Sequence, residues 1–382
     1  MPDSLVNSLR QGVANACGTL ATLGRLHALR NLGGCDVIAR EAAARDFVFC
    51  VDAASQLENF ANRYYHARLG LVSWPLALQR ELDAIIVGGE IDLAALEAVT
   101  VQVAASATEV LERLRSLAEH SLLAQPLVTV LRGIEMLLPG QPLHVPDGST
   151  YSAFSRDYHD GPGRVFRGPT TVHLGPEFKP TYSLTDRRPP EFGSSIEENV
   201  PYFWLMAARE TLASQMCALS AVEYDGLPLA FYSDMAKQCW DEARHSLNFL
   251  NLAQEMATHE LKNDGFPIPG NFYEAMLNAD LVQRLVLMNH RTEAPAIPAI
   301  TRRLASDFCK QHSAVTEFYE FDRIDETSHA SIGNRWLRHL APDESERGKM
   351  IEEADLLRGL LLLTTFAHHG DGSLTELATR FS

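Results

Sequence analysis

Two short segments, Asp241-Glu242-Ala243-Arg244-His245 and Asp325-Glu326-Thr327-Ser328-His329, constrain this 382-residue chain more than any other feature. On an α-helix, residues three apart share a face one turn apart, so a Glu and a His at that spacing aim an oxygen and a nitrogen donor at one point. One Glu-x-x-His alone is weak, because roughly one is expected by chance in a chain this long. The chain has fourteen histidines, and the two with Glu at that spacing are His245 and His329. In both segments an Asp stands directly before the Glu.

Each segment has a further acid upstream at nearly the same interval. Glu210 lies 32 residues before Glu242, and Glu293 lies 33 before Glu326. That interval fits one helix, a turn and a return on an antiparallel neighbour. Two copies of Glu…Glu-x-x-His make up the ligand set of carboxylate-bridged dimetal sites in four-helix bundles. Mixed oxygen and nitrogen donors without thiolates suit two iron or manganese ions. The competing reading is a set of buried helix salt bridges. It has to bury four carboxylates without a cation, at several kcal/mol each or with forced protonation. On the first helix the rival to Glu210 is Glu223, thirteen residues on. Asp241 and Asp325 suit acceptors for the far ring nitrogen of a ligand His, the one in the opposite copy. His290, one turn before Glu293, is either a seventh ligand or a satisfied core histidine.

The repeated pattern resembles the ferritin-like superfamily of di-iron carboxylate proteins, which includes bacterial multicomponent monooxygenases and ribonucleotide reductase small subunits. The monooxygenase form Asp-Glu-x-Arg-His is matched in full by Asp241, Glu242, Arg244 and His245, whereas Ser328 stands at the Arg position of the second copy. A little-characterised bacterial branch is more similar still. Its Glu-Ala-Arg-Gly-like, Asp-Glu-Ile-Gly-His and Gly-x-x-Trp segments correspond to Arg291-Thr292-Glu293-Ala294, to Asp325 through His329, and to Gly333-Asn334-Arg335-Trp336. The resemblance covers about residues 200–340. It implies an all-α, ferritin-like four-helix bundle with Glu210, Glu242, His245, Glu293, Glu326 and His329 on two iron ions (Fe/Mn being the variant). Arg244, Asp241, Asp325 and His290 would support those ligands. The monooxygenases carry a Thr one turn after the third-helix Glu; here that place is Ile297, and Ser214 holds the equivalent place after Glu210.

The rest of the chain frames this site. The formal charge of −16 excludes a broad phosphate-binding face, so no nucleic-acid partner is expected. No run of eighteen apolar residues appears, and the first twenty lack a signal peptide's charged head and apolar middle; the expectation is a cytoplasmic protein with no membrane partner. Six scattered cysteines without a Cys-x-x-Cys pair read as buried thiols. Residues 1–138 read as a helical domain with breaks at Gly33-Gly34, Ser73-Trp74-Pro75 and Gly88-Gly89, shaping a substrate pocket or a homodimer surface. Its acids Glu41, Asp46, Asp52 and Glu58 read as solvated faces.

Residues 139–195 differ in kind: eight of the nineteen prolines fall between Pro142 and Pro190, which excludes regular helix, and aromatics are many. These residues form a packed connector or a lid, with short strands near Val165 and Thr171–Leu174. The bundle occupies 196–341, and a final helix 342–382. Its first helix starts at Ser194 or Ser195 with Glu197 or Glu198 as capping partner, and stops by Asp225-Gly226. Pro228 opens the second, which fades near 263. The third runs from about 271 to Glu293, where Pro295 and Pro298 end or kink it, and the fourth from about 301 to 340. Helical stepping from the ligands gives Phe203, Ser214, Cys217, Phe249, Tyr319 and Asp322 as pocket lining.

The expected function is an oxygen-dependent, non-haem di-iron oxidoreductase. It would hydroxylate, desaturate or N-oxygenate a small-molecule substrate, with O2 as co-substrate and a reductase or ferredoxin as electron donor. The alternatives are a metal-handling protein (ferroxidase or peroxide scavenging) and a tRNA-modifying hydroxylase.

Overall fold

The alanine- and leucine-rich text of the chain becomes helix in almost every described stretch, so the fold is all-α, as expected. The computed structural model describes residues 3–65, 71–72, 74–75, 78–87, 90–119, 125–137, 154–155, 163–164, 168, 175–182, 189–257 and 265–365. The first half runs α1 (Asp3–Gly33), α2 (Val37–Tyr65), β1 (Leu71–Val72), α3 (Gln79–Ile85), β2 (Ile86–Val87), β3 (Glu90–Ile91), α4 (Leu93–Glu119), α5 (Gln125–Leu137), β4 (Phe154–Ser155), β5 (Gly163–Arg164) and β6 (Phe178–Thr181). The second half runs α6 (Ile196–Glu223), β7 (Tyr224–Asp225), α7 (Leu229–Met256), β8 (Phe266–Pro269), α8 (Gly270–Asn278), α9 (Leu281–Leu285), a π-helix (Val286–Glu293), α10 (Ala294–Leu304), α11 (Asp307–Gln311), α12 (Ser313–Leu340) and α13 (Glu344–Thr365). They gather into two compact units, each discontinuous in sequence. The first comprises Met1–Gly34, Ala39–Pro169 and Cys217–Trp240; the second comprises Cys35–Ile38, Thr170–Met216 and Asp241–Ser382.

In the first unit α1 packs along α4, which also receives α3 and α5. Helix α4 is long and apolar enough, by length and composition, to cross a membrane. Its apolar residues Leu96, Val99, Val103, Leu111 and Leu114 are buried within the protein. Three short antiparallel pairs, β1 with β4, β2 with β3 and β5 with β7, tie loops together. The strand expected near Val165 is present as β5 at Gly163–Arg164, and the one expected at Thr171–Leu174 lies outside the described residues.

The stop expected at Asp225-Gly226 is present. Gly226 adopts φ 83°, a left-handed conformation that disfavours side chains bearing Cβ. A fully buried guanidinium holds the end of α6. Arg25 donates from Nε to the Ala221 carbonyl (2.9 Å) and from Nη2 to those of Val222 (2.9 Å) and Tyr224 (3.2 Å). It also pairs with Asp225 at 2.7 Å and lies 4.2 Å from the Trp74 ring centroid. The Trp74 indole donates to the Val222 carbonyl at 2.8 Å. These donors satisfy carbonyls that a helix C-terminus otherwise leaves without partners.

In the second unit α6 begins with the capping box read from the sequence. Glu198 accepts from the backbone N–H groups of Ser194 (2.7 Å) and Ser195 (3.2 Å), and its own N–H donates to Ser195 Oγ. The third helix departs from expectation. It breaks at Ala279-Asp280, where Asp280 caps α9, then widens into the π-helix and continues through Pro295 and Pro298 as α10. Proline removes a donor and crowds the carbonyl four residues back, and the wider π turn makes room for that misfit. The fourth helix starts at Ser313 rather than near 301, because α10 ends at Leu304 and α11 intervenes. The restart after Ala341-Pro342-Asp343 is as expected, with Asp343 capping the Glu346 N–H at 2.9 Å. A parallel pair joins β6 to β8.

Gly333 fixes how α12 meets the π-helix. A Cβ there would lie 2.2 Å from the Asn289 Cβ, so only glycine permits this approach. Asn289 uses the proximity to donate to the His329 carbonyl at 2.9 Å.

Candidate metal centre

Four helical segments of the second unit deliver acids and histidines to one place: α6 (Glu210), α7 (Glu242, His245), the π-helix (Glu293) and α12 (Asp322, Glu326, His329). On α12 the spacing 322, 326, 329 puts three side chains on one stripe. All are buried: Glu242 and His329 are 0% exposed, and Glu210 is the most accessible at 9%. Donor atoms of Glu242, Glu293, Glu326 and His329 lie within 4.8 Å of one another. The same holds for Glu210, Glu242 and His245, and for His245, Asp322 and Glu326. All six residues read from the twin motif are brought together.

Glu242 faces both imidazoles, with Oε2 3.4 Å from His245 Nδ1 and Oε1 3.0 Å from His329 Nδ1. Glu326 Oε1 is 3.8 Å from each of the same two nitrogens. The two histidine rings are 6.1 Å apart. Their other nitrogens are held crosswise: His245 Nε2 contacts Asp325 Oδ2 and His329 Nε2 contacts Asp241 Oδ2, both at 3.2 Å. Each Asp thus orients the histidine of the opposite copy and leaves its Nδ1 facing the acids. Arg244 donates to Asp241 Oδ1 at 2.6 Å and to Asp325 Oδ2 at 3.1 Å. One arginine thus reaches the aspartates of both copies, where the second has Ser328 at the corresponding place. Beside the acids, Ser246 on α7 donates to the Ala207 carbonyl (2.8 Å) and shares a 2.7 Å hydrogen bond with Thr211 on α6.

The charges do not balance. Five carboxylates meet two imidazoles. Burial lifts Glu210 well above the ordinary carboxylate range, and the charges of Glu242 and Glu293 lift it further. Burial and Glu242 raise Glu293 to about 7; burial, against the pull of His245, raises Asp322 to about 6. Glu326 is raised by burial and by Glu293. For Glu242 burial acts upward too, but His329 and His245 outweigh it and hold the carboxyl below its usual range. Burial disfavours charge on the histidines. Asp322 and Asp325 nevertheless raise His245, and Glu242 carries His329 to about 9. Among the described residues, neither His245 Nδ1 nor His329 Nδ1 has a well-aligned hydrogen bond, close as these acids lie. Buried, oriented nitrogens without one, in a surplus of carboxylate oxygens, fit cations that would replace the protons.

His290 is half-buried and is in none of these groups. The extra member is Asp322, which stepping by turns had assigned to a pocket; it lies one turn before Glu326 and 3.4 Å from His245 Nδ1. The rival Glu223 is engaged elsewhere, accepting from Arg164 (2.6 Å) and the Gly168 N–H (2.7 Å). None of Glu41, Asp46, Asp52 and Glu58 joins such a cluster among the described residues. Glu41 is not merely solvated, since it accepts from the Trp240 indole at 2.8 Å.

A cavity of about 270 Å³ reaches the cluster at Glu210 and Glu293. Its walls include Leu205, Leu212, Met216, Phe272, Met276, Leu287 and Met288, and its polar groups include Arg209, Tyr273, Thr292 and Arg358. The six residues expected to line a pocket do not line this one. Phe203, Phe249 and Tyr319 belong to an aromatic cluster, with Phe249 6.0 Å from Phe203, 6.1 Å from Tyr319 and 4.6 Å from Phe318. Ser214 and Cys217 are buried core. The stepping followed the ligand-bearing faces inward, whereas the cavity lies between α6 and the broken third helix, whose path the prolines obscured.

The fold and site define an all-helical protein with a buried carboxylate–histidine group that could hold metal. The chain belongs to the family described as protein of unknown function (DUF455), whose model matches residues 155–354. No curated protein and no solved structure matches it. The matched span contains every residue of the cluster. It also holds Arg291, which makes a two-pronged ion pair with Asp355 on α13, through Nε at 2.6 Å and through Nη2.

Proposed function

We propose that this chain is a ferritin-like, non-haem dimetal oxidoreductase, using dioxygen and an external electron donor to hydroxylate, desaturate or N-oxygenate a small organic molecule. The observation that carries this reading is that Glu242 and Glu326 each face both imidazoles, with Glu210 and Glu293 on the flanks. Glu210, Glu242, His245, Glu293, Glu326 and His329 would hold two cations. The mixed donor set favours iron or manganese. Two bound iron ions would supply dioxygen activation, chemistry that the side chains alone lack.

The residues have separable tasks. Asp241 and Asp325 fix the ring orientation of His329 and His245, and Arg244 holds both aspartates in place. Asp322, beside His245, can take or release a proton without leaving the buried site. Leu287, Met288 and Met216 keep the approach to Glu210 and Glu293 apolar, which limits water near the reacting group. In a hydroxylation, one oxygen atom enters a C–H bond and the other leaves as water, with two electrons from the donor and two protons. The cavity favours an organic substrate over metal storage.

The test is dioxygen uptake by the iron-loaded, chemically reduced chain, followed with an oxygen electrode and by optical spectra. Uptake in proportion to bound iron, abolished in Glu242→Gln, is expected. A reduced, iron-loaded protein that ignores dioxygen would overturn the reading. Continued uptake with mineral growth under excess ferrous iron would replace it with metal handling.

A further inference from the structure

We infer that the cavity beside the cluster binds an organic anion with an apolar body, of about ten non-hydrogen atoms, such as a medium-chain carboxylate. The inference rests on the proposed dimetal reading for the fate of the ligand, but not for its binding.

Size comes first. At roughly 30 Å³ per water in the liquid, the cavity's 270 Å³ would hold about nine waters, or an organic molecule of about ten heavy atoms. Its wall is thioether and hydrocarbon: Leu212, Met216, Phe272, Met276, Leu287 and Met288. Methionines adapt their shape to a chain or a ring alike.

The polar set points to the head group. The chain has a formal charge of −16, yet the charged residues of the lining outside the cluster are both arginines, Arg209 and Arg358. Both side chains are exposed and mark the outer rim, while the buried Glu210 and Glu293 mark the inner end. Arg209 contacts the Met206 sulfur at 3.8 Å, and neither arginine has an ion pair among the described residues. Tyr273 also lines the cavity; it is 2% exposed, and its hydroxyl has no hydrogen-bond partner among the described residues. Buried hydroxyls are ordinarily satisfied. A carboxylate at the rim supplies the acceptor that Tyr273 lacks, and it matches the planar donors of two guanidinium groups. A cationic head group meets two positive charges at the rim; a neutral alcohol gains only the apolar wall.

The test is isothermal titration of the metal-free full-length chain with octanoate, octan-1-ol and octylamine, repeated on Arg209→Gln, Arg358→Gln, Tyr273→Phe and the cavity-filling Ala213→Phe. Melting temperatures of each variant are measured to establish folding. The expected result is saturable octanoate binding at least tenfold tighter than octan-1-ol, with no octylamine binding. Each arginine substitution should weaken octanoate about tenfold and leave octan-1-ol unchanged, and Ala213→Phe should weaken both. The inference is overturned if octanoate fails to bind, binds no tighter than the alcohol, or is indifferent to the folded arginine variants. Iron content of the same wild-type preparation separates the two claims. Iron without octanoate binding removes this inference alone, whereas octanoate without iron removes the dimetal reading alone.

Discussion

The Arg25–Asp225 group of the first unit and the Glu/His cluster of the second are both buried, charged and built across distant sequence, yet they solve burial differently. Arg25 is matched within the protein: one carboxylate, three carbonyl contacts and a Trp74 face compensate one guanidinium. The cluster sets Glu210, Glu242, Glu293, Asp322 and Glu326 against His245 and His329, and burial pushes most of the acids toward their neutral forms. The difference teaches what each is for. A matched buried pair holds structure, and an unmatched surplus of donors is a site that needs something from outside.

Substitutions sharpen this contrast, and the largest effect is expected in the matched group. Arg25→Ala strands Asp225 and the end of α6, and should cost about 3–5 kcal/mol by denaturant unfolding. A loss under 1 kcal/mol would break the comparison. Next, Asp241→Asn and Asp325→Asn should each lower metal affinity about 10–100-fold, read by chelator competition, with melting of the metal-free protein little changed. Equal affinity in wild type and variants would mean that the crossed contacts are incidental.

Removing an acid from the cluster should have the opposite sign to Arg25→Ala. Glu326 is raised well above its usual value, so at neutral pH its burial opposes folding, and Glu326→Gln should raise the melting temperature of the metal-free chain while impairing metal binding. A lower melting temperature would count against the surplus. The smallest effect is on pH dependence. Glu293 and His329 are raised to about 7 and about 9, so between their ordinary values and these the folded protein holds protons that the unfolded chain releases. Stability of the metal-free protein should therefore fall from pH 6 to pH 9, and the fall should vanish in metal-loaded protein. A flat or rising metal-free profile would show that other groups dominate.

The same contrast governs what could be read in the sequence. The cluster was legible because its donors obey helical spacing twice over, and the crossed Asp–His contacts follow from the same repeat. The capping box at Ser194–Glu198 and the stop at Gly226 were legible for a similar reason, being local chemistry. Asp322 was half-legible, since its spacing to Glu326 was visible but its role depended on where His245 points. Arg25 was not legible, because its partners lie some two hundred residues away. The third helix was legible only in part: Pro295 and Pro298 were expected to end or kink it, whereas the break falls at Ala279-Asp280 and the helix continues through both prolines as α10. The cavity was missed with it, because its wall is built from that segment.

The most direct test of the central claim is metal stoichiometry by elemental analysis of wild-type chain from iron- and manganese-supplemented expression, beside Glu242→Gln and His329→Ala. The account predicts about two transition-metal ions per chain in the wild type and a sharp loss in both folded variants, most complete for Glu242→Gln because that carboxylate faces both imidazoles. A folded wild-type chain that takes up no metal, or one whose metal content survives both substitutions, would contradict it.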